Sequence, residues 1–285
     1  MHAVSEPGRR PRVARGAVYS LGAGDQVDDV LARAARDFDW KHLRCTTVLD
    51  DDDYKLLLTE APDVPAAELK AALRWRVKDL IDFHINDATL DVFDLPGEKS
   101  RGAAREMYVV AARSEAIRRR IEQLEGLGAN LDIIDIPELA QRNVAALLPQ
   151  DTEGVVLLAL QPRAGMITVT RQGMLYLARP IAFGWEALAD AERRTEYFDQ
   201  IVLEVQRSLD YFESHFRQAP VRHLSVAPMA VDALDLVSHL GANLGVQVSA
   251  LDLNAVLDVS ALPADAAPWC LTSLGAALRR EAVTL

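Results

Sequence analysis

The chain has 285 residues, 50% hydrophobic and 26% charged, which fits one or two folded domains and excludes global disorder. Lysine and arginine number 31 against 42 aspartates and glutamates, a net charge of −11 that repels nucleic-acid backbones and anionic lipid. Cys45 and Cys270 fit no metal or redox spacing and are expected as free thiols of a reducing compartment. The most apolar run, from Val155 to Leu160, is far shorter than the ~18 residues a bilayer span needs. The basic opening stretch lacks the apolar segment of a secretory signal, so a cytosolic setting is expected.

In chain order, residues 1–12 combine Pro7, Gly8 and Pro11 with arginines and read as a disordered tail. A strand is expected over 13–21, then a helix capped by Asp25 with Val27, Val30, Leu31, Ala34, Ala35 and Phe38 at helical spacing. Two apolar-rich runs, 45–49 and 54–60, flank Asp50 to Asp53 and predict a hairpin with an acidic turn. Pro62 and Pro65 mark a boundary. A helix over 68–83 places Leu69, Leu73, Val77, Leu80 and Ile81 on one face. A strand over 89–95, a polar loop over 96–104 and a strand over 106–112 follow. Ser114 is expected to cap a helix that Gly128 ends, and a strand over 131–136 leads to a helix opened by Pro137.

From Gly154 the pattern is strand, turn, strand, strand over 155–160, 166–170 and 174–181. A long helix over 191–218 carries Tyr197, Ile201, Val205, Leu209, Phe212 and Phe216 as a continuous stripe. A strand over 224–227, a helix over 231–244, a strand over 246–251 and a closing helix over 271–281 complete an α/β reading.

No reaction centre is visible in these residues. There is no phosphate-loop signature, and Gly22-Ala23-Gly24 reads as a turn. The histidines at 2, 42, 84, 215, 223 and 239 never fall at ligand spacing with Glu or Cys, so no metal is expected. Asp50 to Asp53 read as a charged turn rather than a cation site. Asp91 and Asp94 lie on opposite faces of a strand, poor geometry for a carboxylate dyad. Trp75 reads as core or interface, core being the commoner habit of aromatics on amphipathic helices. Arg74, Arg76 and Lys78 give that helix a basic side in an acidic chain.

Two stretches carry a family signature. One is Arg74-Trp75-Arg76-Val77-Lys78-Asp79-Leu80-Ile81-Asp82-Phe83; the other runs Gln206-Arg207-Ser208-Leu209-Asp210-Tyr211-Phe212-Glu213-Ser214, then Phe216-Arg217-Gln218. With Ile134-Asp135-Ile136-Pro137-Glu138-Leu139-Ala140 between them, they resemble the PilM/FtsA actin-like group, and within it the MshI family of MSHA-pilus biogenesis proteins. The resemblance runs over residues 13–281. It implies a two-lobed actin-like α/β fold with an inserted small α+β (SHS2-like) subdomain and a truncated N-terminal hairpin. The expected division is a tail at 1–12, the first lobe from 13–65, the insert at 66–134, a returning helix at 135–150, the second lobe at 151–269 and a C-terminal helix at 270–285.

The same resemblance implies a cytoplasmic scaffold of a type IV (MSHA-type) pilus machine, peripheral to the inner membrane through its partners. Its nucleotide-binding relatives clamp phosphates between two hairpins with Asp-x-Gly turns. Here nothing before Val13 is expected to form the first, and the second reads Gln161-Pro162-Arg163-Ala164-Gly165. Gln161 has no charge for a metal, and Pro162 has no amide hydrogen for a phosphate. The adenosine loop after Leu224 contains no glycine. The expectation is therefore a pseudo-ATPase without cofactor or catalytic residue. Its alternatives are an ATP-binding or weakly ATP-hydrolysing member, or a GspL-like domain of type II secretion. PilM-like relatives bind the cytoplasmic N-terminus of a single-pass PilN-like protein. An extended peptide of that kind is expected beside the strand over 106–112, with Trp75, Lys78, Tyr108 and Val110 as contact residues.

Overall fold

The structure, a computed structural model, describes residues 1–6, 8–95, 105–263 and 265–279. The chain divides into two compact units, Met1–Tyr19 with Glu138–Leu285, and Ser20–Pro137. The polar loop expected over 96–104 lies outside the described residues, as does the end of the closing helix.

The N-terminus corrects the first expectation. Strand β1 (His2–Val4) pairs antiparallel with β2 (Arg12–Arg15), so residues before Val13 do form a short hairpin. Its anchor lies far along the chain. The Val13 amide donates to the Asp258 carbonyl at 2.7 Å, and the Asp258 amide donates to the Pro11 carbonyl at 2.9 Å. Val13 is buried in the same apolar cluster as Leu257, Leu271 and Leu274. A run of Pro, Gly and Arg gave no local sign of this because its partners come more than two hundred residues later.

Within Ser20–Pro137, helix α1 (Val27–Phe38) is followed by β3 (Arg44–Val48) and β4 (Tyr54–Glu60). Asp25 is not the cap residue of α1; its carboxylate accepts the Gly22 amide instead. Helix α2 (Ala66–Val77), β5 (Ala88–Asp94), β6 (Glu106–Arg113), α3 (Ser114–Gly126) and β7 (Asn130–Asp135) complete the unit. Strands β3 and β4 do not form the expected hairpin. β3 pairs in parallel with β7, while β4 pairs along its length with β6 in a three-stranded sheet of order β4-β6-β5. A cut at 65/66 would therefore split that sheet, and the unit begins at Ser20 instead. Leu73 and Val77 of α2 are wholly buried against Leu90, Met107, Val109 and Ala111. Each such side chain contributes about 1.5–3 kcal/mol of burial.

The remainder joins the N-terminal hairpin, with no unit boundary at 150/151. Helix α4 (Pro137–Ala145) leads to β8 (Val155–Leu160), β9 (Gly165–Arg171) and β10 (Met174–Ile181). Helix α5 (Arg194–Phe216), β11 (His223–Val226), α6 (Leu234–Asn243), β12 (Gln247–Ala250), the short α7 (Leu253–Val256) and α8 (Ala267–Ala277) follow. The five-stranded sheet has order β10-β9-β8-β11-β12. All six residues of β8 are buried because both faces are covered. Val156, Leu158 and Leu160 meet Ile201, Val205, Leu209 and Phe212 of α5, while Val155, Leu157 and Ala159 meet Val144, Leu271 and Leu274. A continuous apolar run is what such a two-faced strand requires.

No helix among the described residues is long and apolar enough to cross a membrane. No group of three or more metal-ligating side chains lies together among them.

Candidate functional site

The β8–β9 turn holds Gln161, Pro162, Arg163 and Gly165, the residues expected to form a degenerate phosphate loop. The Gln161 amide donates to the Ala164 carbonyl at 2.7 Å, which closes the turn. Two more of its carbonyls are taken from outside: Trp185 donates its amide to Gln161 and Glu186 to Pro162, each at 3.0 Å. The chain approaches so closely that a Cβ at Gly184 would overlap the Gln161 carbonyl oxygen. Gly165 is explained by packing, since a Cβ there would press on the Leu160 side chain and the Ala159 carbonyl. Arg163 points into solvent, 90% exposed, with Nε 3.6 Å from Glu186, and at that exposure the ion pair adds little. The indole of Trp185 is buried and meets Trp269 edge to face at 5.1 Å.

These geometries make the turn a packing element. Sequence reasoning found Gln161, Pro162, Arg163 and Gly165 but missed Gly184, Trp185 and Glu186, which clamp it. A glycine followed by a tryptophan just after a strand was the available signal. The stretch expected to replace an adenosine loop is also committed to packing, with Ala227 and Met229 buried in the two apolar clusters on either face of the sheet. Burial pushes the thiols of Cys45 and Cys270 up, which keeps both protonated and poorly nucleophilic.

The expected partner residues do not converge. Trp75 is not core: it is 75% exposed, with Lys78 Nζ 5.4 Å from the ring centroid. Spacing explains this, because Leu69, Leu73 and Val77 fill the inward stripe of α2 and leave Trp75 on the outer side. The expected basic side shrinks to Lys78. Arg74 donates to the carbonyls of Ile85 (2.7 Å) and Ala88 (3.1 Å), and Arg76 to that of Glu60 (3.1 Å).

Strand β6 is not an edge, since β4 and β5 pair with it on both sides. Met107, Val109 and Ala111 face α2, so Tyr108 and Val110 alternate to the opposite face, where Tyr108 stacks on Phe93 at 5.0 Å. A backbone-pairing groove on β6 is therefore excluded. The free backbone edges of this sheet belong to β4 and β5.

No protein-family model matches the chain, and no curated protein matches it in sequence. Solved structures do match. A PilM–PilN type IV pilus biogenesis complex superposes with a TM-score of 0.74 at 18% identity, covering 97% of this chain and 93% of that one. The fold is actin-like. The cytoplasmic domain of EpsL, an inner-membrane component of the type II secretion system of Vibrio cholerae, gives a TM-score of 0.49 at 12% identity over 89% and 82% of the two chains. An actin-like ATPase-fold protein from Bacteroides thetaiotaomicron gives 0.45 at 9% identity over 84% and 80%.

Proposed function

We propose that this actin-like chain is a non-catalytic PilM-like scaffold of a type IV pilus machine of the MSHA type. Its partner is the cytoplasmic N-terminal peptide of a PilN-like inner-membrane protein, which holds it at the membrane. The observation that carries the reading is the likeness to PilM in the PilM–PilN complex, which extends over 97% of this chain. The clamped turn supports the absence of catalysis. Phosphoryl transfer depends on positioned donors and charge, and here two turn carbonyls are bonded to Trp185 and Glu186, while Gln161 brings no charge and Pro162 has no amide hydrogen to donate.

Trp75 and Lys78 remain the side chains best placed to meet that peptide, through an aromatic anchor on the outer side of α2 rather than through β6. One observation favours a nucleotide-binding rival: the β1–β2 hairpin exists. Its connection, Ser5 to Pro11, contains Glu6 and Arg9 but no Asp-x-Gly. Titration calorimetry separates the two readings. The scaffold binds the PilN-like peptide and shows no heat with magnesium ATP, whereas ATP affinity tighter than millimolar refutes it.

A further inference from the structure

The two edges of the five-stranded sheet are treated differently. Strand β10 is blunted in the usual ways, by Pro180, by a register irregularity between Leu175 and Leu177, and by Arg179, which is tied to Ser208 and Glu204. Strand β12 has none of these devices. It reads Gln247-Val248-Ser249-Ala250, without charge or proline, and all but Val248 are exposed.

Gln247 and Leu251 donate their amides to the Arg222 and Val226 carbonyls of the neighbouring strand. In a parallel ladder the alternate residues, Val248 and Ala250, therefore turn their N–H and C=O groups outward. Neither has a hydrogen bond from those groups to any described residue.

At the start of this edge lies a cleft of about 410 Å³ floored by Leu209, Val221 and Val246. Two opposite charges line it, Glu213 and Arg222, and neither side chain has an ion pair or hydrogen bond among the described residues. They cancel. The four residues of β12 and the cleft thus carry no net charge, with Asp252 the one acid just past the strand, on a chain of net charge −11, and that matters for what docks there. Two copies of so acidic a protein repel over most of their surface and approach at least cost where the net charge is zero.

We infer that β12 is the site at which a second copy of this chain pairs, antiparallel and about a two-fold axis through Ser249. The outward groups fit that symmetry. Val248 of one copy lies opposite Ala250 of the other and the reverse, so each pair exchanges both backbone bonds. Ser249 meets its own image across the axis in a closely spaced, unbonded pair. The same register brings Asp252 of the second copy opposite Val246, beside the unpaired Arg222.

Sedimentation equilibrium of the full chain tests this, with Ser249→Lys and Ala250→Pro as variants and circular dichroism as the folding control. Ser249→Lys places two ammonium groups across the axis, and Ala250→Pro removes an outward donor that β11 does not use. Reversible dimerisation of the wild type, weakened about tenfold or more in both folded variants, is expected. A wild type that stays monomeric into the high micromolar range overturns the inference, even if the edge then takes an extended peptide of another protein. Dimerisation unchanged in Ser249→Lys also overturns it.

Discussion

Trp75 and Leu73 lie two residues apart on one helix, and their truncation should have opposite consequences. Leu73 is completely buried, so Leu73→Ala should cost about 2–5 kcal/mol. Trp75 is 75% exposed, and its recorded partner is the Lys78 ammonium. An exposed cation–π contact is worth about 0.5–1 kcal/mol, and replacing Trp by Ala in a helix returns about 0.5 kcal/mol of propensity. The two nearly offset, so Trp75→Ala should unfold within about 0.5 kcal/mol of wild type. Binding should separate from stability. If Trp75 anchors a PilN-like peptide, its loss should weaken that complex by about 2 kcal/mol or more, well over tenfold. Urea denaturation and fluorescence anisotropy with the labelled peptide, run on both variants and on Lys78→Glu, read the two quantities independently. A Trp75→Ala protein as unstable as Leu73→Ala refutes the exposed placement. Unchanged peptide affinity in a stable Trp75→Ala protein refutes the anchor.

Gly184→Ala should destabilise by about 1–3 kcal/mol, because the obstacle is the backbone carbonyl of Gln161 rather than a side chain that can rotate away; a urea midpoint equal to wild type counts against the clamp. With magnesium ATP the protein should release phosphate no faster than a blank, and turnover abolished by Gln161→Ala would overturn the pseudo-ATPase reading. Burial raises the Asp151 carboxyl above its ordinary range, outweighing the Thr170 hydroxyl, the Gly173 amide and Arg142. The native state then holds that proton more tightly than the unfolded chain. This group therefore costs stability as pH rises from the unfolded value through the native one, and nothing below both. Asp151→Asn keeps an acceptor for the Gly173 amide, so its advantage over wild type should grow as pH rises above about 4, the unfolded value; urea midpoints that run parallel at and above that pH contradict it.

What the sequence revealed was what is local. The stripe from Tyr197 to Phe216 specifies α5 because one turn of helix places each apolar residue above the last, and Ile201, Val205, Leu209 and Phe212 are buried as that spacing requires. The apolar run of β8 likewise announced a strand covered on both faces. Pairing was not legible. Asp50 to Asp53 look like a hairpin turn, yet β3 finds its partner in β7, more than eighty residues on, and no property of residues 44–60 encodes that choice. Alternation in β6 marked it as a strand without saying that both its sides were taken. Of the two readings open for Trp75, the spacing of Leu69, Leu73 and Val77 already favoured the exposed one, since it turns Trp75 outward. The clamp on the β8–β9 turn was invisible for the reason that hid β3–β7: Gly184 and Gln161 meet only in space.

The attachment of the N-terminal hairpin to Asp258 bears on how the protein is made. Residues 20–137 contain their own sheets and apolar cluster, so they can complete their pairing while later residues are still being translated. Strand β2 cannot finish its own, because its acceptor has not yet been synthesised. At roughly 5–20 residues per second the wait is on the order of tens of seconds, long compared with hairpin formation in microseconds. Through that interval Val13 and the edge of β2 are exposed on a nascent chain, a natural substrate for chaperones that hold extended apolar segments. Slowing translation between residues 138 and 258 should lengthen that exposure, whereas slowing it after Asp258 has left the ribosome should not.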